Sequence, residues 1–212
     1  MIKDIHTHRI DAREAVISVN PWEFAPVDGL CYSVGIHPWQ AARAAEADFD
    51  RLAECARSDN VLMIGECGID KLRGGDLPMQ MSVLERHIAL SEQVCKPLVL
   101  HCVRASNELC RLRRVLRPRM PWVVHGFRGN ARVASQLLDA GFYLSYGERF
   151  NPEALAITPA EHLLAETDES LLPIDEIYRR LAASRHVPVT VLTAGISHVL
   201  CEIKVDKKCG RP

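Results

Sequence analysis

Short, almost continuous runs of apolar residues recur along the 212-residue chain, and in its later part segments of helical length separate them. A run without strict apolar–polar alternation is typical of a strand covered on both faces, as in a parallel sheet. Strands are predicted at 1–5, 15–19, 30–36, 61–64, 97–100, 121–124, 142–144 and 163–165. Helices are predicted at 40–58, 78–95, 105–116, 130–140, 173–184 and 189–203. Alternating strands and helices are typical of α/β proteins.

The first third of the chain departs from this alternation. The connections after the first two predicted strands are too short for the crossover helix that normally joins parallel strands. Pro21, Pro26 and Gly29 make the second connection more irregular still. We therefore expect one flank of the structure to lack covering helices.

Composition indicates one ordinary globular domain. Hydrophobic residues make up 48% and charged residues 25% of the chain, so we expect a single domain over residues 1–203 and a flexible tail over 204–212. The net charge of −1 provides no general attraction to nucleic acid, so any polyanion would have to bind a local cluster of positive charge. The eight cysteines form no C-x-x-C pair, which is typical of reduced thiols in a cytoplasmic protein. No apolar run reaches the length of a membrane span, and nothing indicates a protein partner.

Several predicted strands lead into a residue that can bind a metal ion. Taken singly, a histidine that closes a strand is more often structural, and an acid there is often a helix N-cap. In a β/α barrel, however, the carboxyl ends of all strands meet at the face where active sites lie. We therefore expect these side chains to converge on one pocket. They are His6, His8, His37, Glu66, His101, His125 and Asp168.

The donor set favours two metal ions over one. His6 and His8 are two residues apart, so in a strand their imidazoles point to the same face. Four of these five histidines, with one glutamate and one aspartate, already exceed what a single tetrahedral ion needs, and a carboxylate can bridge two ions. The interpretation is a hydrolytic centre with two divalent ions. Mixed nitrogen and oxygen ligands do not choose among Zn²⁺, Mn²⁺ and Mg²⁺.

Six ordered segments resemble motifs of the TatD-like metal-dependent hydrolases, many of which are described as deoxyribonucleases. The segments are D-I-H-T-H at 4–8, G-I-H-P at 35–38, G-E-C-G-I-D at 65–70, P-L-V-L-H-C-V-R-A at 97–105, H-G-F-R-G at 125–129 and E-T-D at 166–168. The resemblance implies a TIM-like (β/α) barrel, here distorted and short of helices in its first third. It also implies hydrolysis of a phosphodiester such as DNA.

The same resemblance implies roles for individual residues. The first ion would be held by His6, His8, Glu66 and Asp168. The second would be held by Glu66, His101 and His125, with Glu66 bridging the two ions. Asp168 would also orient the attacking water and act as its base, which makes Glu66 and Asp168 the catalytic residues. His37 would contact substrate.

The rim of the pocket departs from the family pattern. The chain is shorter than typical members in the region after His8, and Gly126 and Arg128 replace the usual residues of their motif. Arg104 and Arg128, together with Arg9, are candidates to bind substrate phosphate. The alternative is that these arginines pair with Asp70, Asp76 or Glu169.

Two other functions remain open on the sequence. An amidohydrolase-type enzyme would cleave an amide, a lactone or another small ester on the same kind of barrel. Such enzymes commonly bridge their ions with a modified lysine, whereas here the corresponding strand leads into Glu66. A non-catalytic, metal-stabilised binding module would need a closed site, because structural metal sites use all their coordination positions.

Overall fold

Eight parallel strands form a barrel in the computed structural model, which describes residues 2–193 and Val199. The strands are β1 (Asp4–Thr7), β2 (Ala15–Val19), β3 (Cys31–Val34), β4 (Val61–Asp70), β5 (Leu98–Val103), β6 (Trp122–Val124), β7 (Tyr143–Tyr146) and β8 (Leu163–Ala165). They pair in sequence order, β1 to β8, and every pair is parallel. The predicted TIM-like barrel is therefore confirmed.

The sheet closes through backbone contacts between the chain after β8 and β1. Thr7 and Asp168 form a parallel bridge. The Asp168 N–H donates to the His6 carbonyl at 2.9 Å, and the His8 N–H donates to the Asp168 carbonyl at 3.2 Å. Closure therefore fixes three of the predicted metal-binding residues against one another.

Helices follow the later strands and cover the barrel. They are α1 (Glu46–Ala56), α2 (Leu77–Val94), α3 (Ser106–Leu116), α4 (Ala131–Asp139), α5 (Pro152–Ile157), α6 (Ile174–Arg185) and α7 (Val189–Leu192). The helix predicted at 189–203 is seen only at its beginning. The rest of it, apart from Val199, and the tail predicted at 204–212 lie outside the described residues.

One helix prediction was wrong in detail, and one short helix was missed. The helix predicted over 40–58 is a 3₁₀ turn (Pro38–Arg43) followed by α1, because the backbone is extended at Ala44 and Ala45. The short helix α5 was not predicted. It begins at Pro152, and the Asn151 side chain caps it by accepting from the Ala154 N–H. Six residues show too little periodicity for a pattern to stand out.

The flank formed by β1, β2 and β3 lacks connecting helices, as predicted. Between these strands, residues 8–14 and 20–30 contain no helix. Part of the apolar cover comes from the loop after β2, where the buried ring of Phe24 packs edge-on against Tyr32, with ring centroids 5.4 Å apart. The distorted first third is therefore a packed part of the barrel wall.

Two glycines allow the strands around Glu66 to approach closely. A Cβ at Gly35 would lie 2.5 Å from the Gly65 Cα, and one at Gly68 would lie 2.1 Å from the His101 carbonyl oxygen. Gly68 also has φ of +140°, which disfavours other residues. The register between β4 and β5 shifts between Ile64 and Cys67. Together these features turn the Glu66 segment toward the barrel mouth.

None of the helices in the described part of the chain has both the length and the apolar character that crossing a bilayer requires.

Candidate metal centre

The six predicted ligands converge at the mouth formed by the carboxyl halves of the strands. His6 lies in β1 with His8 just after it, His125 follows β6, and Asp168 lies beyond β8. His6, Glu66 and His101 were predicted to follow their strands, and this was wrong. They lie inside β1, β4 and β5, each of which extends further than its apolar run. The mouth opens into a cavity of about 380 Å³ lined by His8, His37, Glu66, His101, His125 and Asp168, among others.

The two carboxylate oxygens of Glu66 face different groups of histidines. Oε1 lies 2.7 Å from His101 Nδ1 and 2.8 Å from His125 Nε2. Oε2 lies 3.5 Å from His6 Nε2 and 3.8 Å from His8 Nε2. A carboxylate placed between two sets of nitrogen donors in this way is suited to bridging two cations.

Asp168 completes the group on the His6 and His8 side. Its Oδ1 lies 3.8 Å from His6 Nε2 and 3.6 Å from His8 Nε2. Donor atoms of His6, His8 and Asp168 all lie within 4.8 Å of one another, as do those of His6, Glu66 and His125. The resemblance assigned these residues to two ions, and among the described residues the fold forms four overlapping donor groups, one of which includes His37 and another Glu166.

The burial of His6 and the lack of hydrogen-bond partners for its ring nitrogens fit a bound metal ion. The side chain is completely buried, and neither ring nitrogen has a hydrogen-bond partner in the described part of the chain. Burying a polar atom without a partner costs free energy. A metal ion on the Glu66 and Asp168 side would satisfy Nε2, and imidazole with carboxylate is the donor set that Zn²⁺ and Mn²⁺ accept.

Charge in the centre is concentrated on Glu66 and His125. Burial would raise the pKa of Glu66, but His125 and His101 outweigh it and hold that pKa well below its usual range. Burial likewise opposes charge on His125, but Glu66 and Glu166 raise its pKa well above the usual value. Burial and the neighbouring His125 lower the pKa of His6, which stays neutral. A neutral imidazole and an ionised carboxylate are the forms that bind metals, so His6 and Glu66 have the required form, whereas His125 would have to release its proton to bind an ion.

Asp4, the first residue of the opening motif, ties β1 to the chain after β8. Its carboxylate accepts from the Thr167 N–H at 3.0 Å and from the Thr167 hydroxyl at 2.6 Å. Burial raises the pKa of Asp4 to about 6, although these hydrogen bonds act in the opposite direction. Asp4 therefore positions the Asp168 segment and does not point into the cavity.

Two further carboxylates stand behind ligand histidines, and the sequence analysis gave neither of them this role. Glu166 is fully buried, accepts from the Gly126 N–H at 2.6 Å and lies 3.4 Å from His125 Nδ1. Asp70 lies 3.4 Å from His101 Nε2. Carboxylates behind histidine ligands orient the rings and raise their basicity. Both lie inside the motifs already noted, which was the available signal.

His37 lies closer to the predicted ligands than a purely substrate-binding role requires. Its Nε2 is 3.1 Å from Glu66 Oε1 and 3.3 Å from His101 Nδ1. Its Nδ1 accepts from the Trp39 N–H at 3.2 Å. These distances also make His37 a possible donor to the second ion. The assignment to substrate stays a prediction.

A buried histidine of α2 holds the segment that carries His37. The Ile36 N–H donates to His87 Nε2 at 2.9 Å, and His87 Nδ1 donates to the Val83 carbonyl at 2.8 Å. The first contact requires the neutral ring, because Nε2 can accept a hydrogen bond only when it carries no proton. Burial lowers the pKa of His87 to about 4, from an ordinary value of 6.5. Its helical neighbours gave no sign of this role in the sequence.

His87 should make the free energy of unfolding depend on pH. Since its pKa is lowered in the folded state, the unfolded chain takes up the proton first, and stability is lost as the pH falls from 6.5 toward 4. A shift of this size corresponds to about 3 kcal/mol. His87→Gln should remove this part of the slope in urea unfolding curves measured across that range. His186→Gln, at an exposed site, should keep the wild-type slope, and parallel curves for wild type and His87→Gln would disprove the assignment.

The arginines predicted at the rim fall into two groups. Arg104 and Arg128 are exposed and line one cavity of about 460 Å³ with His101, His125 and Asp168. Neither has an ion pair to Asp70, Asp76 or Glu169 within the described residues. The guanidinium of Arg9 donates through Nη2 to the Ser170 and Leu172 carbonyls, the latter at 2.6 Å, so it is tied to the chain after β8, and its phosphate role stays a prediction.

Comparison with known proteins gives matches over most of the chain. Residues 18–190 match the family model described as TatD related DNase. The protein from Edwardsiella piscicida named 3'-5' ssDNA/RNA exonuclease TatD is 32% identical over 170 residues, which are 75% of this chain and 65% of that protein. The protein of the same name from Klebsiella pneumoniae (strain 342) is 29% identical over 184 residues, 82% of this chain and 68% of that protein. The chain thus spans about two thirds of the length of these relatives.

Solved structures show the same fold at lower identity. The TatD homologue YjjV from Escherichia coli K12 superposes with a TM-score of 0.80 at 18% identity, covering 94% of this chain and 97% of that one. A TatD family hydrolase from Entamoeba histolytica gives a TM-score of 0.75 at 17% identity, covering 93% and 97%. At these identities the likeness concerns the fold alone.

Proposed function

The chain belongs to the TatD-related DNase family, and on that premise we propose that it hydrolyses phosphodiester bonds in nucleic acid with a centre of two divalent metal ions. Relatives from two bacteria carry the name 3'-5' ssDNA/RNA exonuclease, which makes single-stranded nucleic acid the first substrate class to test. Zn²⁺, Mn²⁺ and Mg²⁺ are the candidate ions.

The observation that carries the proposal is the placement of Glu66. One of its oxygens faces His101 and His125, and the other faces His6 and His8. His6, His8, Glu66 and Asp168 would hold one ion, and Glu66, His101 and His125 the other. Two such ions, when bound, lower the pKa of a water molecule and stabilise charge on the attacking and leaving oxygens.

Asp168 is placed to act on the attacking water. Its backbone is fixed by the bridge to β1, while its side chain remains 25% exposed and lines the cavity beside His8. A carboxylate held this way can accept a hydrogen bond from a water, orient it and take up its proton. His37, Arg104 and Arg128 would contact the phosphate oxygens and offset their negative charge.

The two competing functions fit the site less well. An amidohydrolase-type enzyme would cleave an amide or lactone, but exposed Arg104 and Arg128 beside the ligands favour a substrate with negatively charged oxygens. A metal-stabilised binding module would have its donors enclosed by protein, whereas His8 is 44% exposed and lines a cavity with Asp168. Both observations support a hydrolase of phosphodiesters.

A panel of substrates with the metal-reconstituted protein tests the proposal. The protein is loaded in turn with Zn²⁺, Mn²⁺ or Mg²⁺, its bound metal is counted, and turnover is measured on a chromogenic phosphodiester, a dipeptide and single-stranded DNA. We expect two ions per chain and turnover of both phosphodiesters. Turnover of the dipeptide alone would favour the amidohydrolase function, and bound metal without turnover would favour the binding module.

Arg104→Ala and Arg128→Ala should each weaken nucleic-acid binding without removing metal. If each arginine neutralises one phosphate, each variant should raise KM for single-stranded DNA and reduce the salt slope of binding by ~0.7. A small monoanionic phosphodiester should be affected less. Arg111→Ala, on the exposed side of α3, should leave both quantities unchanged. A lowered thermal midpoint with an unchanged salt slope would assign these arginines to stability.

We also propose a cytoplasmic location. The cysteines at 31, 55, 67, 95, 102 and 110 are free thiols, and three of them are buried. Burial raises the pKa of Cys102 to about 12, so this thiol stays protonated and unreactive. Such thiols are usual in a reducing compartment.

A further inference from the structure

Trp39 occupies the rim of the candidate metal centre, and nothing described so far gives it a function. It lies in the 3₁₀ turn directly after His37 and Pro38. Its ring centroid is 4.6 Å from that of His37 and 6.0 Å from that of His101. The side chain lines the cavity of about 380 Å³ and yet remains 48% exposed.

The indole is held in place although half of it is exposed. Its Nε1–H donates to Asp70 Oδ2 at 2.7 Å. The same oxygen lies 3.4 Å from His101 Nε2, and Asp70 Oδ1 accepts from the Leu72 N–H at 2.8 Å. A ring anchored through a buried carboxylate loses little conformational entropy when a ligand packs on it. The polar edge is therefore satisfied, and the exposed 48% of the side chain is available for contact with a ligand.

The side chain of Arg73 places a positive charge over the Trp39 ring. The guanidinium carbon of Arg73 lies 5.0 Å from the Trp39 ring centroid. Arg73 is exposed, and among the residues that the structure describes it forms no ion pair with a carboxylate. An aromatic face next to an unpaired cation is the combination that binds single-stranded nucleic acid, because the base stacks and the phosphate is neutralised.

From these contacts we infer that Trp39 is a stacking platform for an unpaired nucleobase of the substrate, with Arg73 neutralising a phosphate of the same strand. The inference rests on the proposed function and adds a subsite to it. Bases inside a duplex are already stacked on their neighbours, and pulling one out costs a few kcal/mol. The platform would therefore favour single strands and frayed ends over intact duplexes.

The test compares two chains that have the same phosphates and differ in their bases. One is a six-nucleotide oligothymidylate, and the other is six abasic deoxyribose phosphates. The metal-loaded wild type should have the higher kcat/KM on oligothymidylate. Trp39→Ala should lower that value on the order of tenfold more than it lowers kcat/KM on the abasic chain, which reports the loss of the Trp39–Asp70 hydrogen bond alone. Trp39→Phe, which keeps an aromatic face, should retain most of the preference for bases.

Trp22→Ala is the matched control. Trp22 is 50% exposed and lies in the loop after β2, and it is not among the residues found to line the cavity. This variant should behave like wild type on both chains. If Trp39→Ala lowers cleavage of both chains equally, the residue serves the structure of the site and the platform is disproved. The platform is also disproved if Trp39→Ala has the same ratio of kcat/KM on oligothymidylate to kcat/KM on the abasic chain as wild type.

Tryptophan emission tests stacking without turnover. Oligothymidylate added in the presence of a chelator should quench the emission of wild type and of Trp22→Phe, and the quenching should disappear in Trp39→Phe. The abasic chain should cause little quenching in any variant. If the wild type cleaves neither chain, the proposed function fails, and the quenching still decides whether Trp39 stacks on a base. Equal quenching in wild type and Trp39→Phe would overturn the platform even if cleavage is observed.

Discussion

Glu66→Gln is expected to reduce turnover of phosphodiesters by more than about 10²-fold while leaving the fold intact. Even the outer partners of metal ligands are worth about 10- to 100-fold, and Glu66 lies between both donor groups. The amide keeps the shape of the side chain but loses the charge that two cations need. Bound metal should therefore fall from two ions to one or none.

Metal analysis and kinetics on the same samples check this expectation. The metal-free variant should stay folded because Gln preserves the packing inside β4, but its thermal midpoint should lie below that of the metal-free wild type because His125 loses one of its two carboxylate partners. Glu153→Gln makes the same change of charge on the exposed side of α5 and should keep wild-type metal content and turnover. Two bound ions with unchanged kcat in Glu66→Gln would rule out the bridging role.

Asp168→Asn is expected to slow kcat by about 10² or more while keeping at least partial metal occupancy. The amide oxygen can still act as a ligand, but it cannot take up the proton of an attacking water, and a positioned general base contributes about 10²- to 10⁴-fold. The backbone should be unaffected, because its contacts to His6 and His8 use main-chain atoms. Asparagine also tolerates the positive φ of 53° at this position.

Single-turnover kinetics with metal counted in each sample separates the two roles of Asp168. A slow chemical step at substantial metal occupancy supports a base, whereas loss of activity in proportion to lost metal reduces Asp168 to a ligand. Asp139→Asn, at the exposed end of α4, should match wild type in both measurements. Unchanged kcat in fully loaded Asp168→Asn would exclude the base.

Local patterns of the sequence determined the architecture and the composition of the site. Eight apolar runs predicted eight strands, because a strand buried on both faces has an almost continuous apolar segment. Short connections predicted the helix-poor first third, because chain length limits what can join parallel strands. The spacing of His6 and His8 placed both imidazoles on one face, since side chains alternate along a strand. Such properties depend on neighbours in the chain.

Other features were decided only when distant segments met. The strands β4 and β5 continue past their apolar runs through Glu66 and His101, because pairing with each other supplies hydrogen bonds that no local pattern records. Gly35 and Gly68 let backbones come close enough to turn Glu66 toward both histidine groups. The division of its two oxygens between those groups is a tertiary property.

The supporting residues of the site also emerged only in three dimensions. His87 lies in α2 and yet accepts a hydrogen bond from Ile36. Glu166, which follows β8, supports His125, which follows β6, and Asp70 anchors the indole of Trp39. A buried polar side chain must find its partner wherever the fold places one. The partner's identity depends on barrel closure and strand register, and both are set by packing of the whole core. The predicted ligands, in contrast, could be identified from short motifs.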